Sequence, residues 1–248
     1  MRFAVYLANF GTYADPSVVV RIARAAASAG WDGLFLWDHL AFVWNGPSAD
    51  PWTTLAAVAA STEGLTLGTA LTPLPRRRPQ IVAQQVQTVE RLNGGNVVLG
   101  TGLGGNRREF EAFGEDFDEH RRARALDERL ELVRSLWPGP IWIGGNSDKA
   151  LQRAARWDGW IPNTVDPAGR TMTPPKLAER LECIAPAAGF EVAAAGYSHG
   201  PDSETPRAYA DAGATWWLEN FHDRRGNLDL TLARVEAGPD GPDKTRVS

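Results

Sequence analysis

Short apolar runs alternate with amphipathic helical patterns along the whole chain. The runs are nearly continuous in apolar residues, which is typical of parallel strands covered on both faces. They predict eight strands: Phe3–Ala8, Gly33–Trp37, Thr66–Leu71, Val97–Thr101, Ile141–Gly144, Gly159–Pro162, Phe190–Gly196 and Thr215–Glu219. The pattern therefore predicts a succession of strand–helix units.

Capping residues mark the boundaries of the intervening helices. Asp15-Pro16 and Asp50-Pro51 each place a carboxylate before a proline at the first helical position. The apolar stripe that follows Asp15 ends at Gly30, and a second stripe from Leu126 to Trp137 is stopped by Pro138-Gly139. These signals predict helices that pack one apolar face against the strands.

Successive strand–helix units without a second pattern predict an α/β fold, a single-domain (β/α)8 TIM barrel. The barrel is expected to span residues 1–238 and to be followed by a C-terminal tail over 239–248. An open, doubly wound sheet is the main alternative, because strand number alone does not exclude it.

Composition limits the cellular compartments and the classes of binding partner to be expected. The chain has 248 residues and a net charge of −4, which argues against nucleic acid and anionic membranes as partners. Cys183 is the single cysteine, so no intrachain disulfide can form and a reducing compartment is expected. Polar residues interrupt the N-terminal apolar run, and no segment approaches the roughly 18 apolar residues of a membrane span. We expect a cytoplasmic protein with a small-molecule substrate.

The first chemically suggestive strand end is Asp38-His39, with Trp44 close behind. In a barrel of this kind, residues just past the strand ends face the active site. His39 is available for proton transfer near neutral pH, and Asp38 could bias its tautomer or bind a cofactor ring. The alternative is a surface loop or a helix cap.

The third and fourth strands also end in polar or glycine-rich segments. Thr72 could offer its hydroxyl to a phosphate or a ring edge. The arginine run at 76–78 could meet an anionic ligand or form a solvated loop. The glycines between Gly100 and Gly105 would let the backbone approach a ligand closely, and Asn106 follows them.

The fifth strand ends in Gly144-Gly145-Asn146-Ser147, which opens directly into a helix. Free N–H groups and the positive end of the helix dipole make such a turn a candidate phosphate site. The alternative is a simple turn capped by Ser147.

These motifs together resemble the luciferase-like flavin monooxygenase family, including its deazaflavin-dependent (F420-type) reductases and dehydrogenases. The resemblance covers Phe3 to about Pro162. The segments that carry it occur in the family's order: Gly30–His39, Asp50–Ala59, Thr66–Pro73, Arg78-Pro79, Gly94–Gly102, Pro140–Gly145 and Asp158–Trp160.

The resemblance implies a flavin or deazaflavin ring at the C-terminal mouth of the barrel, the rim formed by the carboxyl ends of its strands. It assigns a ring-side catalytic role to His39 with Asp38, and a strained, non-proline cis peptide behind the ring to Thr69–Ala70. The cofactor-binding residues are then Thr69, Ala70, Thr72, Asn106, Gly144, Gly145 and Asn146. Trp44, Trp216 and His222 are expected to line the substrate pocket.

The chain departs from the family in two places. Leu103 stands where deazaflavin sugar-phosphate dehydrogenases have a carboxylic acid. The stretch between the fourth and fifth strands is short, because the family usually adds a lid segment there. The barrel is thus shortened, which implies a pocket that is more open or is completed by a partner subunit, as in a homodimer.

The favoured hypothesis is an oxidoreductase that transfers hydride to or from bound coenzyme F420 (a deazaflavin) or FMN. With FMN, oxygen could react at the reduced ring and make the enzyme a monooxygenase. Two alternatives remain: a non-catalytic flavin-binding barrel protein, and a metal-dependent barrel hydrolase, for which the four histidines are isolated in the sequence. No metal is therefore expected.

Overall fold

Eight parallel strands close into a barrel in which β1 pairs with both β2 and β10. In order around the barrel the strands are β1 (Arg2–Leu7), β10 (Trp216–Phe221), β9 (Glu191–Gly196), β6 (Gly159–Ile161), β5 (Ile141–Gly144), β4 (Val97–Gly102), β3 (Thr66–Pro73) and β2 (Gly33–Leu36). The computed structural model describes residues 1–166, 169–170, 172–184, 186–198 and 203–239. Beyond Pro239, the predicted tail lies outside the described residues.

The helices surround the barrel. They are α1 (Pro16–Ser28), α2 (Pro51–Ala59), α3 (Pro79–Leu92), α4 (Arg108–Glu111), α5 (Glu119–Leu136), α6 (Asp148–Ala154), α7 (Pro174–Ile184), α8 (Glu204–Asp211) and α9 (Leu228–Glu236). A two-stranded hairpin, β7 (Val165–Asp166) with β8 (Gly169–Arg170), follows β6. No helix within the described ranges is both long and apolar enough to cross a membrane.

The sequence prediction of eight barrel strands is confirmed, and the closed order excludes the open sheet. The capped helix starts are also confirmed. The side chain of Asp15 accepts a hydrogen bond from the N–H of Ser17, and that of Asp50 accepts one from Thr53, with proline at the helix start in both cases. β10 runs two residues beyond its predicted end at Glu219, because the prediction stopped where polar residues begin.

Large aromatic side chains fill the barrel interior near the N-terminal ends of the strands. Phe35 stacks on Trp142 with ring centroids 5.6 Å apart, and Trp216 packs edge-on against Phe35 at 5.8 Å. Trp216 is the first residue of β10, pairs with Arg2, and is fully buried. The predicted pocket role of Trp216 is therefore wrong, because this side chain lies at the end of the barrel opposite the mouth.

The predicted irregularity in β3 is present. The register with β4 shifts between Thr69 and Thr72, and the cis peptide joins Ala70 to Leu71, one bond later than predicted. The hydroxyls of Thr69 and Thr72 are fully buried and bond each other at 3.1 Å, and Trp52 of α2 donates to Thr72 at 3.1 Å. Both threonine side chains are thus directed toward the helix layer, which corrects their prediction as cofactor contacts.

Candidate active site

Three neighbouring strand ends bring a cluster of charged side chains to one side of the mouth. Asp38 and His39 follow β2, Arg76 and Arg77 follow β3, and Glu109 lies in the short helix α4 that follows β4. Because the carboxyl ends of adjacent parallel strands meet at the same rim, these three loops pack against one another.

Glu109 is the centre of the cluster. Its side chain is only 2% exposed. It accepts hydrogen bonds from His39 Nδ1 at 2.8 Å, from the guanidinium of Arg76 at 2.7 Å and from the N–H of Leu40 at 3.1 Å. Burial alone would raise the pKa of Glu109, but the hydrogen bonds and positive charges of His39 and Arg76 outweigh burial and lower that pKa. Glu109 is therefore an ionised carboxylate at neutral pH.

This contact orients His39. An ionised carboxylate can only accept hydrogen bonds, so Nδ1 of His39 carries a proton, and whenever the ring is neutral its lone pair is at Nε2. Asn9 fixes the main chain of His39 through two hydrogen bonds of 2.9 Å, one to its carbonyl and one from its N–H. The His39 side chain is 39% exposed. His39 is thus a base held in one orientation with its ring accessible at the mouth.

Asp38 does not contact the ring of His39 in the way that the sequence suggested. Its buried carboxylate accepts two hydrogen bonds of 2.8 Å from Arg77 and a longer one of 3.3 Å from Arg76. Arg77 also reaches Asp50 at 2.9 Å. The prediction of a catalytic or ring-binding Asp38 is therefore corrected: two guanidinium groups occupy this carboxylate, and Asp38 anchors the β3 loop beneath the site.

Two arginines of the run, Arg76 and Arg77, are likewise neither solvated nor free to meet an anion, whereas Arg78 is exposed. The side chain of Arg76 is 5% exposed and that of Arg77 is 18% exposed, and both are held by carboxylates. On the β4 loop, Arg107 forms an exposed ion pair of 2.6 Å with Glu111. The strand-end arginines mainly bind the protein to itself.

Aromatic rings continue the rim beyond His39. The ring of Trp37 lies 5.7 Å from that of His39 on one side and 5.9 Å from that of His222 on the other. Tyr6 of β1 packs 5.7 Å from Trp37 and donates its hydroxyl hydrogen bond to the carbonyl of Ala70. His222 thus lies at the mouth, where the sequence placed it, and the side chain of Trp44 lies outside the described part of the chain.

The predicted phosphate loop forms a tight turn between β5 and α6. Gly145 has φ +125°, a conformation that favours glycine, and its N–H donates to the carbonyl of Ile161 at 3.2 Å. The side chain of Asn146 exchanges hydrogen bonds of 2.7 and 2.8 Å with the main chain of Asn163. Ser147 caps α6 through the N–H of Ala150. The N–H of Gly145 is already paired. A phosphate bound at this turn would therefore contact the N–H groups in the first turn of α6.

The loop after β4 is held internally. The side chain of Asn106 accepts a hydrogen bond of 3.2 Å from the N–H of Arg108. Leu103 packs against the core, and its carbonyl accepts a hydrogen bond of 3.2 Å from Arg122. The Arg122 guanidinium lies 3.7 Å from the ring centroid of Phe117. These contacts fix the segment that carries Glu109, and the cofactor contact of Asn106 stays a prediction.

The residues at the mouth fit a planar, partly polar ring system. Two small residues also occur here: Ala70 faces the interior, and the missing Cβ of Gly144 makes room for Leu71, whose side chain a Cβ would meet at 1.8 Å. Trp37 Nε1 and Asn220 Oδ1 are buried and have no hydrogen-bond partner among the described residues. Such orphaned groups are typical of sites that a ligand completes.

Sequence reasoning missed three residues of this site: Glu109, Tyr197 and Asn220. Glu109 lies 70 positions from His39, in a segment predicted as loop, and its only local signal is an apolar neighbour, Phe110. Tyr197 directly follows β9, and its hydroxyl lies 2.8 Å from His222 Nε2. A rule that every polar residue just past a strand end is a candidate would have found Tyr197 but not Glu109. No group of three His, Cys, Asp or Glu side chains in the described ranges could hold a metal, so the hydrolase alternative finds no support there.

Comparison with known families gives a match over almost the whole chain. The family model described as luciferase-like monooxygenase matches residues 1–239. Among curated proteins, the F420-dependent hydroxymycolic acid dehydrogenase of Mycobacterium tuberculosis is 33% identical over 181 residues. The match covers 60% of this chain and 49% of that relative, so the chain spans about half its length.

Solved structures give the same fold. An F420-dependent secondary alcohol dehydrogenase in complex with an F420–acetone adduct superposes with a TM-score of 0.76 at 16% identity, covering 95% of this chain and 97% of that one. The oxygenating constituent of 3,6-diketocamphane monooxygenase from Pseudomonas putida, in complex with FMN, superposes with a TM-score of 0.71 at 12% identity, covering 96% and 97%. At these identities the likeness is one of fold.

Proposed function

The chain belongs to the luciferase-like monooxygenase family, and we propose that it is an oxidoreductase that exchanges a hydride between a small organic substrate and bound coenzyme F420. The observation that carries this proposal is the oriented pair His39–Glu109 at the mouth of the barrel. A base with a fixed tautomer beside an aromatic rim suits a reaction in which a proton and a hydride leave the substrate together.

The bound deazaflavin would supply the carbon that accepts or releases the hydride. His39 handles the proton at the substrate oxygen. In the oxidation of a hydroxyl, its Nε2 lone pair accepts that proton, and a carbonyl results as the hydride leaves the adjacent carbon. Glu109 stabilises the imidazolium that forms, as an ionised carboxylate within 2.8 Å of Nδ1. In the reverse direction, Nε2 returns the proton.

The residues that would hold the cofactor lie on and just past the ends of β3, β4 and β5. The small side chain of Ala70 would leave room for a ring, whereas Leu71 fills the space beside Gly144. Gly145 and Asn146 lead into the first turn of α6, which would hold the cofactor's phosphate, since the helix dipole favours an anion there. The ribityl side chain would pass Asn106.

F420 is favoured over FMN because the curated relative that covers 60% of the chain is named for F420. Structural neighbours include complexes of both cofactors, so fold alone does not choose between them. The substrate of that relative does not transfer, since the chain spans about half of it.

A titration of the purified protein with F420 and with FMN, followed by absorbance, tests the proposal. We expect saturable binding of F420 at least tenfold tighter than that of FMN. Tighter binding of FMN, with oxygen consumed by the reduced enzyme, would instead establish a monooxygenase. Binding of either cofactor without turnover on any substrate panel would support the non-catalytic alternative.

A further inference from the structure

Three polar side chains form a second cluster at the mouth, on the far side of Trp37 from His39. Tyr197 follows β9, Asn220 is in the adjacent strand β10, and His222 follows β10. The Tyr197 hydroxyl lies 2.8 Å from His222 Nε2, and the Asn220 amide donates to the same hydroxyl at 3.4 Å. The His222 ring is 5.9 Å from that of Trp37. The cluster therefore borders the same mouth as His39.

The amide of Asn220 is incompletely bonded. The residue is 8% exposed, and its Oδ1 has no partner among the described residues. Turning the amide over would pair Oδ1 with Tyr197 and leave Nδ2 without an acceptor instead. In either orientation one buried polar atom lacks a partner among the residues that the structure describes, which is costly unless a ligand supplies one. A hydroxyl group can serve both cases, because it donates and accepts.

The cluster is uncharged at neutral pH. Burial lowers the pKa of His222, and the charges of Arg224 and Arg225 lower it further, with Asp223 acting in the opposite direction. Burial likewise raises the pKa of Tyr197, so its phenol stays protonated. A neutral histidine and a neutral phenol recognise a neutral polar group better than a carboxylate or an ammonium.

A buried ion pair holds the cluster in place. Glu219 is fully buried and lies 2.5 Å from Arg225. Glu219 accepts a hydrogen bond from the N–H of Ser198 at 3.0 Å, and Arg225 donates to the carbonyls of Ser198 and Asn220. The ends of β9 and β10 are therefore tied together, so the side chains that they carry are fixed before any ligand arrives. The same contacts occupy Arg225, which leaves it little capacity for an anionic ligand.

We propose that Asn220, Tyr197 and His222 form a subsite for an uncharged substrate that carries a second hydroxyl group, which bonds the Asn220 amide while the reacting hydroxyl lies at His39. The hydrocarbon part of the substrate packs against the ring of Trp37, which separates this subsite from His39. The inference rests on the proposed function, since it names the substrate class of the same mouth. It adds three residues that contact substrate on the side away from Glu109.

The test uses cyclohexanol as the probe and cyclohexanecarboxylate as its anionic counterpart, with dissociation constants measured by ligand-detected NMR. Asn220→Leu removes both polar amide atoms at similar volume. We expect it to weaken cyclohexanol binding at least tenfold. The melting temperature should stay the same or rise, because a buried unpaired amide is removed. A purely structural amide would instead lower the melting temperature and leave the affinity unchanged.

Tyr197→Phe should weaken cyclohexanol binding in the same direction. Tyr13→Phe is its matched control, since this variant also loses a buried hydroxyl bond, to Thr231, which no residue of the subsite shares, and it should bind cyclohexanol like the wild type. Wild-type affinity in Asn220→Leu, or tighter binding of the carboxylate than of cyclohexanol, would overturn the proposal. Titrations run with and without F420 separate a failure of the cofactor to bind, which concerns the proposed function, from a failure of the alcohol to bind.

Discussion

Replacing Glu109 by glutamine tests the structural argument for the site most directly. The substitution keeps the size of the side chain but removes its charge and one of its acceptor oxygens. Three donors, from His39, Leu40 and Arg76, converge on the carboxylate. The amide has a single acceptor oxygen. When that oxygen accepts from one or two of these donors, the NH₂ group of the amide must face the remaining donor. Arg76 would then keep a single carboxylate partner, Asp38.

The expected magnitudes follow from burial. Removing one partner of a buried ion pair costs about 3–5 kcal/mol, because the other charge stays buried without compensation. Asp38 still pairs with Arg76, so we expect about 3 kcal/mol for Glu109→Gln, the lower end of that range. Turnover should fall by about 10²-fold or more, since His39 loses the contact that sets its tautomer and stabilises its protonated form.

Urea unfolding gives the stability change, and steady-state turnover with F420 gives the catalytic one. Glu111→Gln is the matched control on the same helix, where an ion pair with Arg107 has a glutamate that is 52% exposed. Exposed pairs contribute about 0–1 kcal/mol, so this variant should unfold and turn over almost like the wild type.

Two results would refute the reasoning. The first is a free energy of unfolding for Glu109→Gln within about 0.5 kcal/mol of the wild-type value, which would mean that the ion pair of Glu109 with Arg76 does not stabilise the fold. If the variant is destabilised but turns over at the wild-type rate, Glu109 holds the loop together and has no role in orienting His39. If Glu109 orients His39, Glu109→Asp, which retains the charge, should recover part of the turnover that Glu109→Gln loses.

Three further predictions concern the same mouth. His39→Ala should lower turnover by about 10²–10⁴-fold with little change in F420 affinity, whereas the exposed His120→Ala should have no effect; equal turnover in both would exclude His39 from the proton transfer. Gly145→Asp should weaken F420 binding at least tenfold, about 1.4 kcal/mol, relative to Gly145→Ala, which shares the strain at φ +125°; equal affinities would remove the phosphate from this turn. The lowered pKa of Glu109 means that its ionised form stabilises the fold fully above the unfolded value of about 4.3. The stability difference between wild type and Glu109→Gln should therefore shrink as pH falls through the folded pKa of Glu109; a difference that persists undiminished at about pH 3 would contradict this.

The barrel itself could be predicted from the sequence because its signals are local. Each strand is a short apolar run, and each capped helix start needs only a few adjacent residues, as at Asp15 and Asp50. Ile141–Gly144 was predicted at its observed bounds, since Pro140 precedes it and Gly145 follows it. The placement of His39 and His222 at the mouth followed from the same logic, because a residue just past a strand end lies at the rim.

The partners of these residues were decided by the tertiary structure alone. His39 and Glu109 are 70 positions apart, and Asp38 meets arginines 38 and 39 positions away. Sequence spacing carries no information on which of several charged loops will pack together, so Asp38 was paired with the wrong neighbour. The sequence also did not reveal whether a strand residue points into the barrel or toward the helices. One residue's shift in a strand reverses inward and outward faces, and the bulge in β3 turned Thr69 and Thr72 toward the helices. The position of a residue along its strand also matters. Trp216 begins β10, so its side chain fills the end of the barrel opposite the mouth, whereas Asn220, four residues later, lies at the mouth.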